Sequence, residues 1–304
     1  MYNAPTGSGK SLVIYGAAAA LNSLNGGQSF ITTPLNSLVD QMDSDEFIGD
    51  NVITLKGRNN YKCVNDEDIG TPVNEAICQR DSTFECDVKD SCPYYGRKYQ
   101  ALEHPYPVTN MSYLMAEGMI PGTVENTFGD RTYLWVDECQ KLEDFAMNFI
   151  SFTVSKFTVP DQVWDNVTIP PESKENDMEF LIEWLEEEVM DAVVEMLNYL
   201  NSMSLMNKEQ SKQEENLKQF KNRVANFLED VQENDWVAQI DVQIKKNRKN
   251  DKKVVFKPIE IGRFLKDLLW SRADKIVLSS ATIPGGGWVN EIGLGGMDTK
   301  KINV

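Results

Sequence analysis

The sequence predicts an α/β fold in which a parallel sheet is covered by helices on both faces and is interrupted by a long helical insertion. Short β-rich runs at residues 28–32, 51–55, 107–109, 131–136 and 275–279 alternate with helical segments, as is typical of parallel sheets. The middle of the chain has no Gly between residues 130 and 261 and no Pro between residues 172 and 257, which favours long helices. Its apolar residues recur at helical spacing in two stretches, which are Leu181, Leu185, Val189, Val193, Met196 and Leu200, and then Leu217, Phe220, Val224, Phe227 and Val231. We therefore expect a helical hairpin with two long arms inserted into the α/β domain.

Length and composition indicate a soluble, folded chain. The 304 residues leave room for about two domains. Hydrophobic residues make up 41% and charged residues 25%, which excludes wholesale disorder. The longest apolar stretch, residues 12–21, is far shorter than the ~20 residues of a spanning helix. We expect a cytoplasmic protein without a membrane partner.

The net charge of −17 is unevenly distributed. Residues 161–200 hold twelve Asp or Glu and one Lys. Residues 245–257 reverse the sign with Lys245, Lys246, Arg248, Lys249, Lys252, Lys253 and Lys257 against Asp251. This basic stretch is either a solvated hairpin tip or a phosphate-contacting segment, and the sequence leaves both interpretations open.

Residues 4–11, APTGSGKS, have the spacing of a phosphate-binding loop in which Ala4 replaces the first Gly. Such a loop brings backbone N–H groups to the phosphates at the start of a helix. Lys10 would reach the β- and γ-phosphates, and Ser11 would ligate Mg²⁺. The predicted nucleotide contacts in this loop are Thr6, Gly7, Ser8, Gly9, Lys10 and Ser11.

An apolar strand that ends in an acid should complete such a site, and residues 133–138, YLWVDE, supply one. Asp137 would hold the Mg²⁺, and Glu138 would orient and deprotonate the attacking water. The two motifs together predict an ATP site with Lys10, Asp137 and Glu138 as its catalytic residues.

Four of the five cysteines, Cys63, Cys78, Cys86 and Cys92, fall within 30 residues and are separated by 14, 7 and 5 residues. In a chain without a secretory signal, clustered thiols suggest a metal site rather than disulfides. Structural zinc sites usually contain Cys-x-x-Cys pairs, and none occurs here. Zinc, a [4Fe-4S] cluster and free thiols stay open from spacing alone.

Four segments resemble conserved motifs of superfamily 2 helicases, and they occur in the same order along the chain as in that family. Residues 4–11 are similar to motif I, and residues 33–41, TPLNSLVDQ, to motif Ia. Residues 137–144, DECQKLED, resemble a DEAH-type motif II with Gln140 in place of His. Residues 276–283, IVLSSATI, resemble motif III. The resemblance implies a nucleotide-site role for Gln140, DNA contact by Thr33, and a link from the nucleotide to the DNA through Ser280 and Thr282.

The cysteine flanks narrow the resemblance further. Residues 55–63, LKGRNNYKC, and 92–95, CPYY, resemble the borders of the iron-sulfur insertion in XPD and DinG helicases. This implies a [4Fe-4S] cluster on Cys63, Cys78, Cys86 and Cys92, with Cys139 left as a packing residue. It also implies an ATP- and Mg²⁺-dependent 5′ to 3′ DNA helicase that binds single-stranded DNA. The implied further DNA contacts are Lys56, Arg58, Tyr61, Tyr94 and Tyr95.

The resemblance also implies a domain layout. Residues 1–62, 93–159 and 253–304 would form a first RecA-like motor lobe. Residues 63–92 would form the cluster insertion, and residues 160–252 the helical arch insertion.

Three departures from the family pattern carry expectations of their own. Only three residues precede Ala4, so the first strand and the adenine-reading segment are expected to be absent. A second RecA-like lobe is also expected to be absent, which predicts a partner polypeptide, as in a split gene of a phage or mobile element, or else a non-catalytic DNA-binding module. Gln140 can form hydrogen bonds but cannot gain or lose a proton. Whether it can couple ATP hydrolysis to motif III is therefore open from the sequence.

Overall fold

A computed structural model describes residues 2–3, 9–81, 83–119, 127–203, 207–243, 251–285, 287–298, 300 and 302–303. The chain divides into two compact units. The first comprises Met1–Ala146 and Ile261–Val304, and the second comprises Met147–Glu260.

The strands and helices are numbered in chain order. The strands are β1 (Tyr2–Asn3), β2 (Ser29–Thr33), β3 (Thr54–Leu55), β4 (Val108–Asn110), β5 (Arg131–Val136), β6 (Phe152–Val154), β7 (Trp236–Gln243), β8 (Asp251–Pro258), β9 (Ala273–Ser280) and β10 (Ile302–Asn303). The helices are α1 (Lys10–Asn25), α2 (Asn36–Asp43), α3 (Ile77–Arg80), α4 (Pro93–Glu103), α5 (Met111–Gly118), α6 (Leu142–Ile150), α7 (Asp161–Trp164), α8 (Met178–Trp184), α9 (Asp191–Asn201), α10 (Lys208–Asp230), α11 (Gly262–Leu268) and α12 (Trp288–Glu291). A π-helical stretch, Leu185–Met190, joins α8 to α9.

A seven-stranded sheet with the order β10–β1–β9–β5–β2–β4–β3 forms the centre of the first unit. All neighbouring strands are parallel. Thr32 is in register with Val136 and with Thr109, and Val136 with Leu278. The carboxyl ends of β2, β4, β5 and β9 are therefore aligned at one edge.

Each face of this sheet is covered. On one face, Ile14 and Ala18 of α1 pack with Ile31, Val108 and Trp135 of the strands. On the other face, the Phe30 and Phe128 rings meet edge to face at 5.4 Å. The predicted α/β class with a covered parallel sheet is confirmed, and each of the five predicted β-rich runs overlaps a strand.

One prediction for the first unit is wrong. The first strand was expected to be absent, but Tyr2 and Asn3 form β1, which pairs with Ser279 and Ser280 on one side and with β10 on the other. Two residues are enough because neighbouring strands satisfy their backbone groups on both sides. So short a segment carries no periodicity that the sequence could reveal.

The second unit contains the predicted pair of long helices. The apolar side chains of the first arm are buried at four-residue intervals from Leu181 to Leu197. In a regular α-helix with 3.6 residues per turn, side chains spaced every four residues would drift gradually around the helix. The wider turns of the π-helical stretch Leu185–Met190 offset this drift and keep the buried side chains on one face. Leu217, Phe220, Val224 and Phe227 form the buried stripe of α10.

The second unit also holds an antiparallel sheet with the order β6–β8–β7. Residues 236–243 lie in the segment expected to be a helical arch, but they form a strand rather than a helix. The absence of Gly and Pro suggested a helix, but Trp236, Ala238 and Ile240 are buried alternately, which is a strand pattern. Phe152, Phe227 and Phe256 pack together within 4.9 Å between ring centres and hold α10 on this sheet.

Part of the basic stretch lies on β8, where Lys253 pairs with Asp241 at 3.1 Å and Lys257 donates to Gln239 at 2.6 Å. Residues 244–250 lie outside the described residues. In the described part of the chain, no helix is both long and apolar enough to cross a membrane.

A buried ion pair anchors α4, the helix that follows Cys92, to α5. Lys98 Nζ lies 3.1 Å from Glu117 Oε1, with side-chain exposures of 8% and 4%. Glu117 also accepts from the Tyr113 hydroxyl at 2.9 Å and from Phe128 N at 3.3 Å. The carboxylate is therefore the acceptor on which three separate donors depend.

We predict that Glu117→Gln lowers the free energy of unfolding by about 3–5 kcal/mol, because it leaves the Lys98 ammonium buried without a counter-charge. Adding Lys98→Met should recover part of the loss. The matched control is Asp40→Asn, which breaks the exposed pair of Asp40 with Lys56 and should cost about 1 kcal/mol or less. Urea unfolding measures all four proteins, and a single Glu117→Gln as mild as Asp40→Asn would contradict the prediction.

Candidate nucleotide site and cysteine-rich segment

The candidate nucleotide site lies at the carboxyl edge of the parallel sheet, where ligands of open α/β sheets usually bind. α1 begins there at Lys10, directly after Gly9. Gly9 has φ 77°, a left-handed conformation that favours glycine. The predicted contacts Thr6, Gly7 and Ser8 lie outside the described residues.

Ser11 and Asp137 are brought together, as their proposed shared ion would require. Ser11 Oγ donates to Asp137 Oδ2 at 3.2 Å, and Glu138 N donates to Asp137 Oδ1 at 3.0 Å. Burial raises the pKa of the Asp137 carboxyl above its usual range, and this outweighs the lowering by these hydrogen bonds. A hydroxyl beside a desolvated carboxylate is an oxygen donor set of the kind that Mg²⁺ takes.

Glu138 is held in an unusual backbone conformation with φ 51°. Lys10 Nζ lies 3.9 Å from its Oε1, and the Gln140 amide donates to its Oε2 at 2.5 Å. A non-Gly residue in the left-handed region is strained, and such strain clusters at functional sites. The carboxylate is thus fixed between a cation and an amide.

Gln140 connects this carboxylate to the end of β9. Ser280 Oγ lies 2.5 Å from Gln140 Oε1. It also lies 2.8 Å from Thr282 O and accepts from Thr282 N at 3.0 Å. Lys10, Glu138, Gln140, Ser280 and Thr282 therefore form one connected chain. The Gln140 side chain thus contacts both Glu138 of the predicted motif II and Ser280 of the predicted motif III. The sequence alone left open whether a Gln at this position could make both contacts.

The residues implied as DNA contacts differ widely in exposure. Thr33, Tyr94 and Ser280 are buried, whereas Arg58 and Thr282 are exposed. Lys56, Tyr61 and Tyr95 are half-buried.

The aromatic members of this set pack against one another. The Tyr94 ring contacts Tyr61 at 5.6 Å and Tyr95 at 5.1 Å between centres. Arg58 lies over the Tyr94 ring, and Lys56 pairs with Asp40. Tyr94 is therefore a core residue of this segment, whereas Tyr61 and Tyr95 border the surface.

The four clustered cysteines form no disulfide bond. Cys63 and Cys92 are buried, and Cys78 and Cys86 are half-buried. Burial raises the pKa of Cys63, and the nearby Cys78 and Cys92 thiols raise it further. The Asn65 amide donates to Asp87 at 3.2 Å, which ties the chain after Cys63 to the chain after Cys86.

This donor chemistry fits a thiolate-ligated group. However, no group of three or more His, Cys, Asp or Glu side chains within the described residues is assembled closely enough to hold a single ion.

Two further residues are structural in the described chain. Burial raises the pKa of Cys139 to about 12, and its side chain is fully enclosed. His104 Nδ1 accepts from Tyr106 N at 3.3 Å, and its ring packs edge to face on Tyr106.

Sequence reasoning missed Ser279, which is buried beside Asp137 and lowers the pKa of that carboxyl without forming a hydrogen bond of normal geometry. Its place on β9, directly before Ser280, could have indicated it. It also missed Gln79, whose amide donates to Cys78 Sγ at 3.4 Å and to the Tyr95 hydroxyl at 3.2 Å.

Solved structures resemble the whole chain. A structure titled XPD helicase matches with a TM-score of 0.53 and 15% sequence identity. The match covers 100% of this chain and 58% of the chain in that structure. The chain shares the fold of XPD helicase structures. A structure titled truncated XPD matches with a TM-score of 0.51 and 14% identity, over 100% of this chain and 94% of its own. The chain therefore spans little more than half the length of the first XPD structure. No protein-family model matches the sequence, and no curated protein matches it.

We predict that Asp137→Asn stabilises the metal-free protein at neutral pH. The folded-state pKa lies above the ordinary carboxyl value, so the stability associated with this group is greatest when it is protonated and is lost as pH rises through the raised pKa. Asp137→Asn has no charge to bury at this position, so it should be more stable than the parent at neutral pH. The difference in stability should shrink as pH falls towards about 4, because the parent carboxyl then becomes protonated.

Thermal unfolding without metal between about pH 5 and pH 8 measures this difference. Mg²⁺ with a non-hydrolysable ATP analogue should stabilise the parent and not Asp137→Asn. A metal-free variant that is less stable than the parent at neutral pH would contradict the interpretation.

Proposed function

We propose that the chain is the first motor lobe of an XPD-like, iron-sulfur, ATP-dependent DNA helicase of 5′ to 3′ polarity. The observation that carries this proposal is the connected chain from Lys10 through Glu138 and Gln140 to Ser280, beside the Ser11–Asp137 contact. A nucleotide-dependent motor needs such a path from its phosphate site to another part of the lobe.

In this proposal Thr6, Gly7, Ser8 and Gly9 cradle the ATP phosphates, and Lys10 neutralises them. Ser11 and Asp137 hold the Mg²⁺, which supplies charge stabilisation at the transferring phosphoryl group. Glu138 accepts a proton from the attacking water, and Gln140 keeps its carboxylate in position.

We propose that hydrolysis needs a second RecA-like lobe, either elsewhere in a longer protein or in another polypeptide. Charge on the transferring phosphoryl group is stabilised by cations aimed at it, and an arginine supplied from a partner is worth about 10³–10⁵ in rate where measured. Translocation also requires two bodies to open and close on the strand.

We propose that residues 63–92 form a cluster insertion, with Cys63, Cys78, Cys86 and Cys92 as the ligands of a [4Fe-4S] group. The support is that the four cysteines of this segment form no disulfide and that Cys78 and Cys92 lie near enough to Cys63 to raise its pKa. Residues 160–252 would form the arch, and the remaining residues the RecA-like lobe.

We propose that single-stranded DNA runs along the surface formed by Lys56, Arg58, Tyr61 and Tyr95, with Thr282 at the end of the path from the nucleotide. Cations would contact the backbone phosphates, and the half-buried rings of Tyr61 and Tyr95 would stack on bases where they border the surface. Thr33, Tyr94 and Ser280 would support this surface from below, since their side chains are buried.

We predict that the 304-residue chain binds Mg²⁺–ATP and single-stranded DNA but shows no DNA-stimulated hydrolysis by itself. DNA affinity should fall steeply with salt, because phosphate contacts release counterions. Lys10→Ala should lose nucleotide binding, whereas the exposed Lys266→Ala serves as the matched control.

Adding a second lobe should restore hydrolysis, which Glu138→Gln should abolish. If nucleotide binding survives Lys10→Ala, the site is misassigned. If DNA binds normally but no second lobe restores hydrolysis, a non-catalytic DNA-binding module is the better description.

We predict that protein purified without oxygen is brown and holds about four irons per chain. Single Cys→Ser changes at Cys63, Cys78, Cys86 or Cys92 should bleach it and loosen residues 63–92, because metal binding and local folding are coupled. Cys139→Ala should keep its iron. Stoichiometric zinc without iron in anaerobic material would refute the cluster.

A further inference from the structure

Four buried hydroxyls at the carboxyl edge of the parallel sheet make no hydrogen bond of normal geometry, although one of them, Ser279, lies beside Asp137. They are the Oγ1 atoms of Thr32, Thr33 and Thr109 and the Oγ of Ser279, all on residues at most 2% exposed. Leaving a buried hydroxyl unpaired costs about 1–3 kcal/mol. Within the described residues the only other buried side-chain atom of this kind is Arg272 Nε. The concentration of such groups at one edge calls for a physical explanation.

Thr33 and Ser279 lie on the α1 face of the sheet, on either side of Asp137. Residues two positions apart on a strand point to the same face of the sheet. Ile31 and Val277 pack on the α1 side, so Thr33 and Ser279, two residues further along, face that side as well. Extending the β2–β5 and β5–β9 registers by one residue places Asp137 between Thr33 and Ser279. The backbone bond from Asp137 N to Thr32 O, 2.8 Å, shows that the ladder continues that far.

Thr32 and Thr109 lie on the opposite face. Thr32 follows Phe30, which packs on Phe128, and Thr32 and Thr109 are register partners. The four unpaired hydroxyls therefore divide into two that flank the predicted metal carboxylate and two that are turned away from it. This division gives the test a matched pair of controls.

We propose that the hydroxyls of Thr33 and Ser279 form the outer shell of the Mg²⁺ site, where they hydrogen-bond to water molecules that the bound ion retains. The inference rests on the proposed function, because it requires Mg²⁺ at Ser11 and Asp137. Thr33 then serves the metal site rather than touching DNA directly, in keeping with its burial.

The chemistry of the ion explains the cost of leaving these hydroxyls unpaired. Mg²⁺ gives up its water reluctantly and usually keeps several water molecules in protein sites. Each such water points its hydrogens away from the ion and needs acceptors in the second shell, and losing one acceptor typically costs 10- to 100-fold in metal affinity. A hydroxyl oxygen can accept such a hydrogen bond, so Thr33 and Ser279 suit this role. Water molecules on a bound ion would give the hydroxyls of Thr33 and Ser279 hydrogen-bond partners.

The test compares Thr33→Val and Ser279→Ala with the controls Thr32→Val and Thr109→Val in the full chain. Binding of a fluorescent, non-hydrolysable ATP analogue is measured while Mg²⁺ is varied, and urea unfolding is measured without metal. Thr33→Val and Ser279→Ala should each weaken the apparent Mg²⁺ affinity about tenfold, while leaving analogue binding in EDTA unchanged. The controls should keep the parent's Mg²⁺ affinity.

Without metal, Thr33→Val and the two control variants should be at least as stable as the parent, because each removes an unpaired polar group at nearly constant shape. A Thr33→Val protein that is less stable than the parent would show that the hydroxyl has a structural partner, and would overturn the proposal. So would an unchanged Mg²⁺ affinity in both Thr33→Val and Ser279→Ala, or an equal loss in the controls. If the parent itself binds no Mg²⁺–nucleotide, the proposed function fails and this inference fails with it.

Discussion

The parallel pairing of β5 with β2 on one side and β9 on the other is the constraint on which the candidate site depends. Because all three strands run in the same direction and are held in register, their carboxyl ends meet at one edge. That alignment places Asp137 and Glu138 opposite the start of α1 and beside Ser280. A shift of one residue in β5 would turn Asp137 to the other face of the sheet.

Arg131 holds this register from the opposite end of β5. Its buried guanidinium donates to the carbonyls of Ser29, His104 and Pro105, within 3.2 Å in each case. It also lies over the Phe30 ring, and burial lowers its pKa to about 10. A charge buried this deeply is tolerated because several acceptors surround it. The polar groups around Arg131 at the amino end of the strand are therefore satisfied, whereas buried hydroxyls at the carboxyl end make no hydrogen bond of normal geometry.

The parts that sequence predicted well are those in which chemistry is local. The acid after an apolar strand and the five β-rich runs each depend on neighbouring residues and a fixed period. The parts that it missed depend on contacts distant in sequence. β1 forms because β9 and β10 pair with it. β7 has a two-residue burial period, but it lies in a stretch that was predicted to be helical because it contains no Gly or Pro. Tyr94 was considered for DNA because its position matched a pattern, but packing against Tyr61 and Tyr95 encloses it.

Gln140 shows how a single amide can join a carboxylate to the end of a neighbouring strand. Its two partners fix the orientation of the amide, because an ionised carboxylate only accepts and the Ser280 hydroxyl can donate. The NH₂ group must therefore face Glu138, and the carbonyl must face Ser280. A neutral imidazole could also donate with one nitrogen and accept with the other, but protonation would remove the acceptor. The amide has no such second state, so the link from the Glu138 carboxylate to the end of β9 stays the same at every pH at which Glu138 is ionised.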